Sequence, residues 1–358
     1  KAPHFVMFIR EYLEQKYGKD AIEGGGLKVI TTLDYDIQKK AEEVALKNAL
    51  ENAKVYDASN TGVIVLDPKT GHILSMVGSR DYFDKEIDGN FNITTARRQP
   101  GSSFKPFIYA TAFMKGYTPE TILFDVPTEF QASCDAYGNP KGGRSKNDCY
   151  MPQNYNGLFH GPMMLRDALA QSINVPAVKL LYLTSIKDSL KTAKDMGIKS
   201  LTNPEQYGLT LVLGGGEVSL LDMASAYGVF ANEGIRVPAT GVLRIETETG
   251  QVLEQYTQQE QQELSKNVAL MISDILSDNQ ARTPTFGANS TLNVSEDVAV
   301  KTGTTNSNKD AWMIGYSPSV VVGVWSGNNE NTPMKKGSTV SGPTFNQVMK
   351  YALSKMPR

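Results

Sequence analysis

The sequence of this chain predicts an α/β (α+β) protein in which strands from both ends of the chain form one sheet, with a helical insertion between them. Two hairpins predict the sheet. The first has strands at 61–66 and 72–77 around a turn that contains Pro and Gly, and the second has strands at 311–316 and 319–325 around a tight turn. Most of the stretch between the hairpins carries apolar residues at helical spacing, which predicts the insertion.

The first 58 residues are predicted to form a linker segment beside the main domain, which comprises residues 59–358. A helix is predicted over residues 1–23, where the run Gly24-Gly25-Gly26 ends it. The remaining elements of the linker are a strand and an amphipathic helix, at 27–33 and 36–55.

Helices are predicted to fill most of the region between the two hairpins. The ring of Pro176 disfavours helical geometry at Val175, so the segment from Ala170 to Pro176 is predicted to be a loop between two helices. Periodicity places the helices at 106–115, 164–170, 175–183, 220–231 and 267–276, and short strands at 241–246 and 298–300.

Composition and charge narrow the classes of function. Of the 358 residues, 40% are hydrophobic and 21% charged, as in ordinary soluble globular proteins, and the net charge of −2 gives no electrostatic reason to expect nucleic acid or an anionic membrane surface as a partner. No stretch approaches the roughly 20 apolar residues that span a bilayer. Because the chain opens with Lys1 and not with Met, we expect it to be a piece of a longer protein whose export signal or anchor lies upstream.

The two cysteines, Cys134 and Cys149, flank a loop rich in turn-forming residues. A disulfide between them would staple an exposed loop and would suit an oxidising compartment. Two unpaired thiols are equally compatible with the spacing, so the sequence leaves both states open.

The segment Ser102-Ser103-Phe104-Lys105 offers a nucleophile and a base. Gln99-Pro100-Gly101 predicts a turn just before it, which places Ser102 at the start of a helix, where unpaired N–H groups favour negative charge. Lys105 then lies on the same helical face, within reach of the Ser102 hydroxyl. A lysine acts as a base only when neutral, which requires burial or a nearby cation. In isolation the tetrapeptide is more often a capping serine beside a solvated lysine.

Histidine and metal chemistry have little support in the sequence. The three histidines are His4, His72 and His160, and none lies in a motif that suggests a Ser-His-Asp triad. No His pair or Cys/His cluster has the spacing of metal ligands, so no metal and no cofactor is predicted.

Two further short motifs supply groups that such a site needs. In Ser172-Ile173-Asn174, a hydroxyl can relay a proton to a leaving amine, and an amide can orient a substrate carbonyl or the lysine. Alone, these residues are typical of caps and turns.

The segment Lys301-Thr302-Gly303-Thr304 follows a predicted strand and forms the third motif. Its lysine and threonines can bind a carboxylate, and Gly303 would let a substrate backbone come close. The N–H of Thr304 is predicted to be a second oxyanion donor beside that of Ser102. Lys301 is also predicted to keep Lys105 neutral by like-charge repulsion. Each motif alone is weak evidence for an acyl-transfer site, but the three motifs in this order are strong evidence for one.

In these three motifs and their order, the chain closely resembles the transpeptidase domain of class A (bifunctional) penicillin-binding proteins. The similarity covers essentially the whole chain and is carried by the segments 26–34, 98–107, 165–174, 213–219 and 310–312. The resemblance implies a penicillin-binding and serine β-lactamase-like fold, with a central antiparallel sheet flanked by helices plus a helical subdomain.

The same resemblance implies acyl transfer on peptidoglycan. Ser102 would attack the D-Ala-D-Ala carbonyl of a stem peptide, with Lys105 as base and Ser172 as proton relay, and an amine from a neighbouring stem would resolve the acyl-enzyme. Asn174 would be a positioning group in the site, while Lys301, Thr302 and Thr304 would hold the substrate carboxylate. β-Lactams would acylate Ser102. The resemblance also implies a glycosyltransferase domain and a membrane anchor upstream, and a place on the extracytoplasmic face of the bacterial cell membrane.

One departure from the family pattern is Val300, which stands where the family usually has glycine. A valine there would either narrow the cleft or pack inward, and our hypothesis is that it alters the preference for donor or β-lactam. Three other functions stay open: a serine β-lactamase with Glu205 as its deacylating carboxylate, a DD-carboxypeptidase, and a non-catalytic sensor or scaffold that binds β-lactams or peptidoglycan.

Overall fold

A five-stranded antiparallel sheet joins the two ends of the chain, as the two hairpins predict. The structure is a computed structural model and describes residues 1–143 and 145–356. The strands are β1 Leu27–Thr31, β2 Asn60–Leu66, β3 Ile73–Val77, β4 Ile122–Asp125, β5 Gly161–Met164, β6 Ile235–Arg236, β7 Val242–Thr247, β8 Val252–Gln255, β9 Gln261–Gln262, β10 Ala299–Thr304, β11 Asp310–Ser317 and β12 Val320–Gly327. The large sheet has the order β10-β11-β12-β2-β3, so β10 is an edge strand.

Helices fill most of the sequence between β3 and β10. The helices are α1 Pro3–Tyr17, α2 Lys19–Glu23, α3 Tyr35–Tyr56, α4 Lys105–Met114, α5 Leu165–Ala170, α6 Asn174–Thr184, α7 Ile186–Asp195, α8 Leu220–Ala231, α9 Lys266–Ser277, α10 Asn279–Phe286 and α11 Gly342–Lys355. The single helix predicted over residues 1–23 is wrong in one respect, because Gly18 divides it into α1 and α2. Gly18 has a φ of 82°, a left-handed conformation that glycine adopts without steric cost.

Both faces of the five-stranded sheet are buried, which explains the unbroken valine run in β12. Val320 and Val322 lie on the face covered by α3 and α11. Val321 and Trp325 point to the other face, where α8 packs on the sheet and α4 and α9 lie in the same core. Successive side chains of a strand alternate between faces, so a strand buried on both sides is apolar at every position. Helix α4 is itself buried from Lys105 to Phe113.

The first 58 residues contact the rest of the chain at several points. Strand β1 pairs antiparallel with β7, and α1 contributes Phe5 and Ile9 to the core. Helix α3 lies on the sheet beside α11. The division at residue 58 stays a prediction. Over the described residues, none of the helices has the length and apolar character needed to cross a bilayer.

The loop predicted from Ala170 to Pro176 is shorter in the structure, where α6 already begins at Asn174. Pro176 lies in the first turn of this helix. The N–H groups of a first turn have no partner within the helix, so proline is tolerated there. Val175 is therefore helical, and only the residues from Gln171 to Ile173 connect α5 to α6.

Candidate active site

Ser102 lies in a tight turn that leads directly into α4. A 3-10 turn spans Gly101–Phe104 and continues as the α-helix at Lys105, which confirms the expected place of Ser102 at a helix start. Two buried aromatic side chains hold this turn from the sheet and from α8. The indole N–H of Trp312 donates to the carbonyl of Gln99 at 2.8 Å, and the hydroxyl of Tyr227 donates to the carbonyl of Ser103 at 2.6 Å.

Three glycines allow the turn to contact its neighbours backbone to backbone. A Cβ at Gly101 would lie 2.4 Å from the carbonyl oxygen of Thr304, and one at Gly214 would lie 2.2 Å from the N of Gly101. A Cβ at Gly303 would lie 2.3 Å from the carbonyl oxygen of Pro100. Gly303 therefore faces the protein's own turn. The space that a side chain would take is filled by residues 100–103, and the prediction that Gly303 lets a substrate backbone come close stays a prediction.

Lys105 is fully buried, and its amine is surrounded by oxygen atoms of the second motif. Its Nζ donates to the carbonyl oxygen of Ser172 at 2.7 Å, to that of Ile173 at 3.2 Å and to the Oδ1 of Asn174 at 2.8 Å, and it lies 3.4 Å from the Oγ of Ser172. No hydrogen bond joins this Nζ to Ser102 among the described residues. The amine instead binds the two backbone carbonyl oxygens and the amide oxygen.

Ser172 connects the two lysines. Its Oγ accepts a hydrogen bond of 2.8 Å from the Nζ of Lys301, which is 2% exposed, and it faces Lys105 on its other side. Ser172 has a φ of 60°, a left-handed conformation that costs a non-glycine residue about 1–2 kcal/mol. The surrounding loop holds it there, because the N–H groups of Ser172 and Ile173 donate to carbonyls of α5. Backbone strain of this kind is concentrated at functional sites.

Burial makes both lysines much weaker bases than free lysine. Removal from water lowers the pKa of Lys105 well below its usual value of 10.5, and the charge of Lys301 lowers it further. Burial lowers the pKa of Lys301 to about 7. The predicted like-charge effect of Lys301 on Lys105 is thus confirmed. The sequence did not predict that Lys301 itself would lose much of its charge near neutral pH.

The amide of Asn174 has a fixed orientation at the first position of α6. Its Nδ2 donates to the carbonyl of Gln153 at 2.9 Å, which leaves Oδ1 to face Lys105. The backbone N–H of Asn174 donates to the Oδ1 of Asn154 at 3.0 Å. No pattern in the sequence indicated a role for Gln153 or Asn154, because Asn-rich turns near proline are common on protein surfaces.

A cleft of about 440 Å³ opens over these groups. Of the residues predicted for the site, the lining ones are Ser102, Ser172, Asn174, Thr302 and Thr304. The two lysines lie beneath this surface. The third motif therefore forms part of β10 and is not a solvated strand end. The lining thus combines the hydroxyl groups of Ser102, Ser172, Thr302 and Thr304 with the amide of Asn174.

The family model described as the penicillin binding protein transpeptidase domain matches residues 61–350. The chain belongs to this family. It is 33% identical to penicillin-binding protein 2D of Bacillus subtilis over 340 residues, which are 93% of this chain and 46% of that protein. It is also 33% identical to penicillin-binding protein 1A of Neisseria lactamica, over 82% of this chain and 36% of that protein. The chain thus spans about half or less of the length of these relatives.

Solved structures share the fold of this transpeptidase domain. Penicillin-binding protein 1A from Haemophilus influenzae superposes with a TM-score of 0.82 at 21% identity, covering 100% of this chain and 71% of that one. PonA1 from Mycobacterium tuberculosis in complex with penicillin V gives 0.79 at 24% identity, covering 100% of this chain and 95% of that one. The predicted fold class, with its antiparallel sheet, flanking helices and helical subdomain, is confirmed.

Val300 does not reach the cleft of the transpeptidase domain. Its side chain is 3% exposed and packs with Phe345, Val348 and Met313 on the far face of the sheet. Of the two possibilities that the sequence left open, the inward one is therefore correct. Our hypothesis that Val300 alters donor or β-lactam preference by narrowing the cleft has no support in this geometry.

Two other open questions from the sequence have answers in the structure. Cys134 and Cys149 form a disulfide. Their sulfur atoms lie near a carboxylate oxygen of Glu129, but disulfide sulfurs offer no thiolate to a metal ion. Glu205, the carboxylate that a β-lactamase would need, is exposed and lies in a 3-10 turn outside the lining of the cleft.

Proposed function

We propose that this chain is a peptidoglycan DD-transpeptidase that cross-links stem peptides through an acyl-enzyme on Ser102 and that β-lactams acylate the same hydroxyl. The observation that carries the proposal is the buried amine of Lys105, whose pKa is depressed and which lies beside Ser172 beneath the cleft that Ser102 lines. In its neutral form this amine keeps two N–H donors for the surrounding oxygens and has a lone pair that can accept the proton of a serine hydroxyl, which a charged, solvated lysine lacks.

In the proposed first half-reaction, Lys105 accepts the proton of Ser102 as the Oγ attacks the carbonyl carbon of the penultimate D-Ala. The N–H groups of Ser102 and Thr304 stabilise the oxyanion. The C–N bond then breaks, and Ser172 passes a proton to the nitrogen of the departing D-Ala. Lys301 and Lys105 both contact Ser172, so either can replace the proton that it gives up.

In the second half-reaction, the amine of a neighbouring stem peptide attacks the ester carbonyl. The amine loses a proton to the same basic groups, the bond to Ser102 Oγ breaks, and the serine regains its proton. Thr302, Thr304 and the protonated form of Lys301 are proposed to bind the carboxylate of the donor or of a β-lactam, and Asn174 to position the donor and Lys105.

The partners and the location follow from this function. Peptidoglycan stem peptides are the proposed substrates and β-lactams the proposed inhibitors. We place the chain on the extracytoplasmic face of the bacterial cell membrane, in a protein that also has a glycosyltransferase domain and a membrane anchor. The disulfide between Cys134 and Cys149 supports a location outside the reducing cytoplasm.

Exchange of the terminal D-Ala tests the proposed function. The protein is incubated with a pentapeptide donor ending in D-Ala-D-Ala and with a labelled D-amino acid as acceptor, and Ser102→Ala serves as the control. Incorporation of the label by the wild type alone supports a transpeptidase. Release of D-Ala without incorporation would indicate a carboxypeptidase, and neither product would favour the sensor or scaffold.

A further inference from the structure

Asn154 is a buried side chain that ties three parts of the helical subdomain together. It is 5% exposed although it lies in a loop whose neighbours Gln153 and Tyr155 are exposed. Its Oδ1 accepts hydrogen bonds from the N–H groups of Asn174 and Val175, at 3.0 and 3.2 Å. These are the first two N–H groups of α6, and the third residue of that helix is a proline. Asn154 therefore caps α6 from outside the helix.

Asp125 determines which way the amide of Asn154 faces. Asp125 is fully buried, and both of its carboxylate oxygens lie 2.9 Å from the Nδ2 of Asn154, which also donates to the carbonyl of Leu158 at 2.7 Å. The backbone N–H and the Nδ1 of His160 lie 2.9 and 2.7 Å from the same carboxylate. Both carboxylate oxygens accept hydrogen bonds from the NH₂ side of the amide, which therefore faces Asp125. The oxygen of the amide must then point at α6.

The same pair controls the groups around the catalytic lysine. The residue before Asn154 supplies the carbonyl that binds the Nδ2 of Asn174, and Asn154 itself binds the N–H of Asn174. Both contacts fix Asn174, whose Oδ1 binds the Nζ of Lys105 at 2.8 Å. A hydrogen-bonded path therefore runs from Asp125 through Asn154 and Asn174 to Lys105.

We propose that Asn154 and Asp125 are positioning residues for the acylation reaction, which they support by holding Asn174 and, through it, Lys105. The inference rests on the proposed function. Neither residue lines the cleft or reaches the reacting atoms. Their effect is on geometry, and a displacement of about 1 Å at a catalytic group can slow a reaction about 100-fold.

The first experiment compares second-order rate constants for acylation by nitrocefin. We expect Asn154→Ala to acylate about 10- to 100-fold more slowly than the wild type. Asn156→Ala is the matched control, because Asn156 lies in the same loop but is exposed, and among the described residues its side chain binds the N–H of Leu158 alone; it should keep the wild-type rate. An Asn154→Ala rate within about twofold of the wild type would overturn the proposal.

A double variant separates positioning from a general loss of structure. If Asn154 acts through Asn174, then Asn154→Ala combined with Asn174→Ala should acylate at nearly the rate of Asn174→Ala alone. If the two substitutions caused independent structural defects, their reductions of the acylation rate would instead multiply, and that result would contradict the inference.

Exchanging Asp125 and Asn154 gives a test that remains valid if Asn154→Ala fails to fold. Asp125→Asn and Asn154→Asp should each slow acylation, because each leaves a donor facing a donor or a carboxylate facing a carboxylate. The combined exchange restores one donor amide facing one carboxylate and keeps an acceptor for the N–H groups of α6, while the carbonyl of Leu158 loses its donor as it does in Asn154→Asp. We expect the combined variant to be faster than Asn154→Asp, which has the same loss and also a carboxylate facing a carboxylate. A combined variant no faster than Asn154→Asp would overturn the proposal.

Ser102→Ala distinguishes failure of this inference from failure of the proposed function. A wild type that acylates no faster than Ser102→Ala would contradict the proposed function and this inference with it. If the wild type acylates faster than Ser102→Ala but no faster than Asn154→Ala, this inference alone is contradicted.

Discussion

The Nζ of Lys301 donates a hydrogen bond of 2.8 Å to the Oγ of Ser172. Because Lys105 faces the same oxygen at 3.4 Å, the hydroxyl of Ser172 lies between two buried amines whose pKa values are both depressed. A hydroxyl that accepts from Lys301 keeps its own hydrogen free for another acceptor. This arrangement suits a group that delivers a proton to a departing amine.

The first prediction concerns the pH dependence of acylation by a β-lactam that carries a carboxylate. The rate should fall on the acid side as Lys105 becomes protonated. It should also fall above pH 7, because Lys301, with a pKa of about 7, then loses the charge that binds the carboxylate. The second-order rate constant measured between pH 5 and 10 should therefore pass through a maximum. A rate that keeps rising up to pH 10 would contradict the role given to Lys301.

A second prediction concerns Lys301→Met. Removing this charge takes away the repulsion that lowers the pKa of Lys105, so the acid limb of the acylation profile should move to higher pH. Loss of the carboxylate contact should also lower the maximal rate constant about 10- to 100-fold. Lys336→Met is the control, because Lys336 lines the same cleft but is exposed. An acid limb that stays in place would show that the two lysines do not interact.

A third prediction concerns stability. The pKa of Lys301 is about 7 in the folded protein and near 10.5 when the chain is unfolded, so the unfolded state binds more protons between these values. The free energy of unfolding should then rise with pH in this window, by at most about 1.4 kcal/mol per pH unit for one group. Lys301→Met should be more stable than the wild type below pH 7, and the difference should shrink towards pH 10.5. Denaturant titrations at several pH values measure it, and a difference independent of pH would refute the burial effect.

A fourth prediction concerns Val300→Ala. The side chain packs against Phe345 on the far face of the sheet, so its truncation should leave a cavity and lower the free energy of unfolding by about 2 kcal/mol. The rate of acylation should stay within about twofold of the wild type, because Val300 does not line the cleft. Chemical denaturation and nitrocefin acylation test the two parts separately. A changed preference among β-lactams at unchanged stability would restore the hypothesis that Val300 shapes the cleft.

A fifth prediction concerns Tyr227→Phe. The variant removes the hydroxyl that binds the carbonyl of Ser103 and leaves that buried carbonyl without a donor. The free energy of unfolding should fall by about 1–3 kcal/mol. Acylation should slow several-fold because the same turn carries Ser102. Tyr316→Phe is a matched control, since that hydroxyl binds Ser273 and not the turn.

The sequence predicted helices and strands whose apolar residues follow a helical or an alternating spacing. The two hairpins and helix α8 lie where alternation and helical spacing placed them. Helix α11 was missed although Phe345, Val348 and Met349 have helical spacing, so the signal was present. The break at Gly18 was missed because a glycine within a helical pattern is often tolerated.

In the site, too, the sequence predicted the short motifs but not the contacts between residues that lie far apart in the chain. The three motifs identified the groups that meet beneath the cleft because each motif is a short pattern. Tyr227 and Asn154 act on partners 124 and 20 residues away, and no local pattern marks such contacts. The pKa of Lys301 depends on its burial within β10, which the motif alone does not reveal.

The measurement that tests the central claim most directly is intact-mass spectrometry after exposure to benzylpenicillin, for the wild type and Ser102→Ala. We predict a stable adduct of one benzylpenicilloyl group on the wild type and none on the variant. An adduct on both proteins would place the nucleophile elsewhere. The absence of an adduct on the wild type would contradict the proposed acyl-enzyme and would favour the non-catalytic sensor or scaffold.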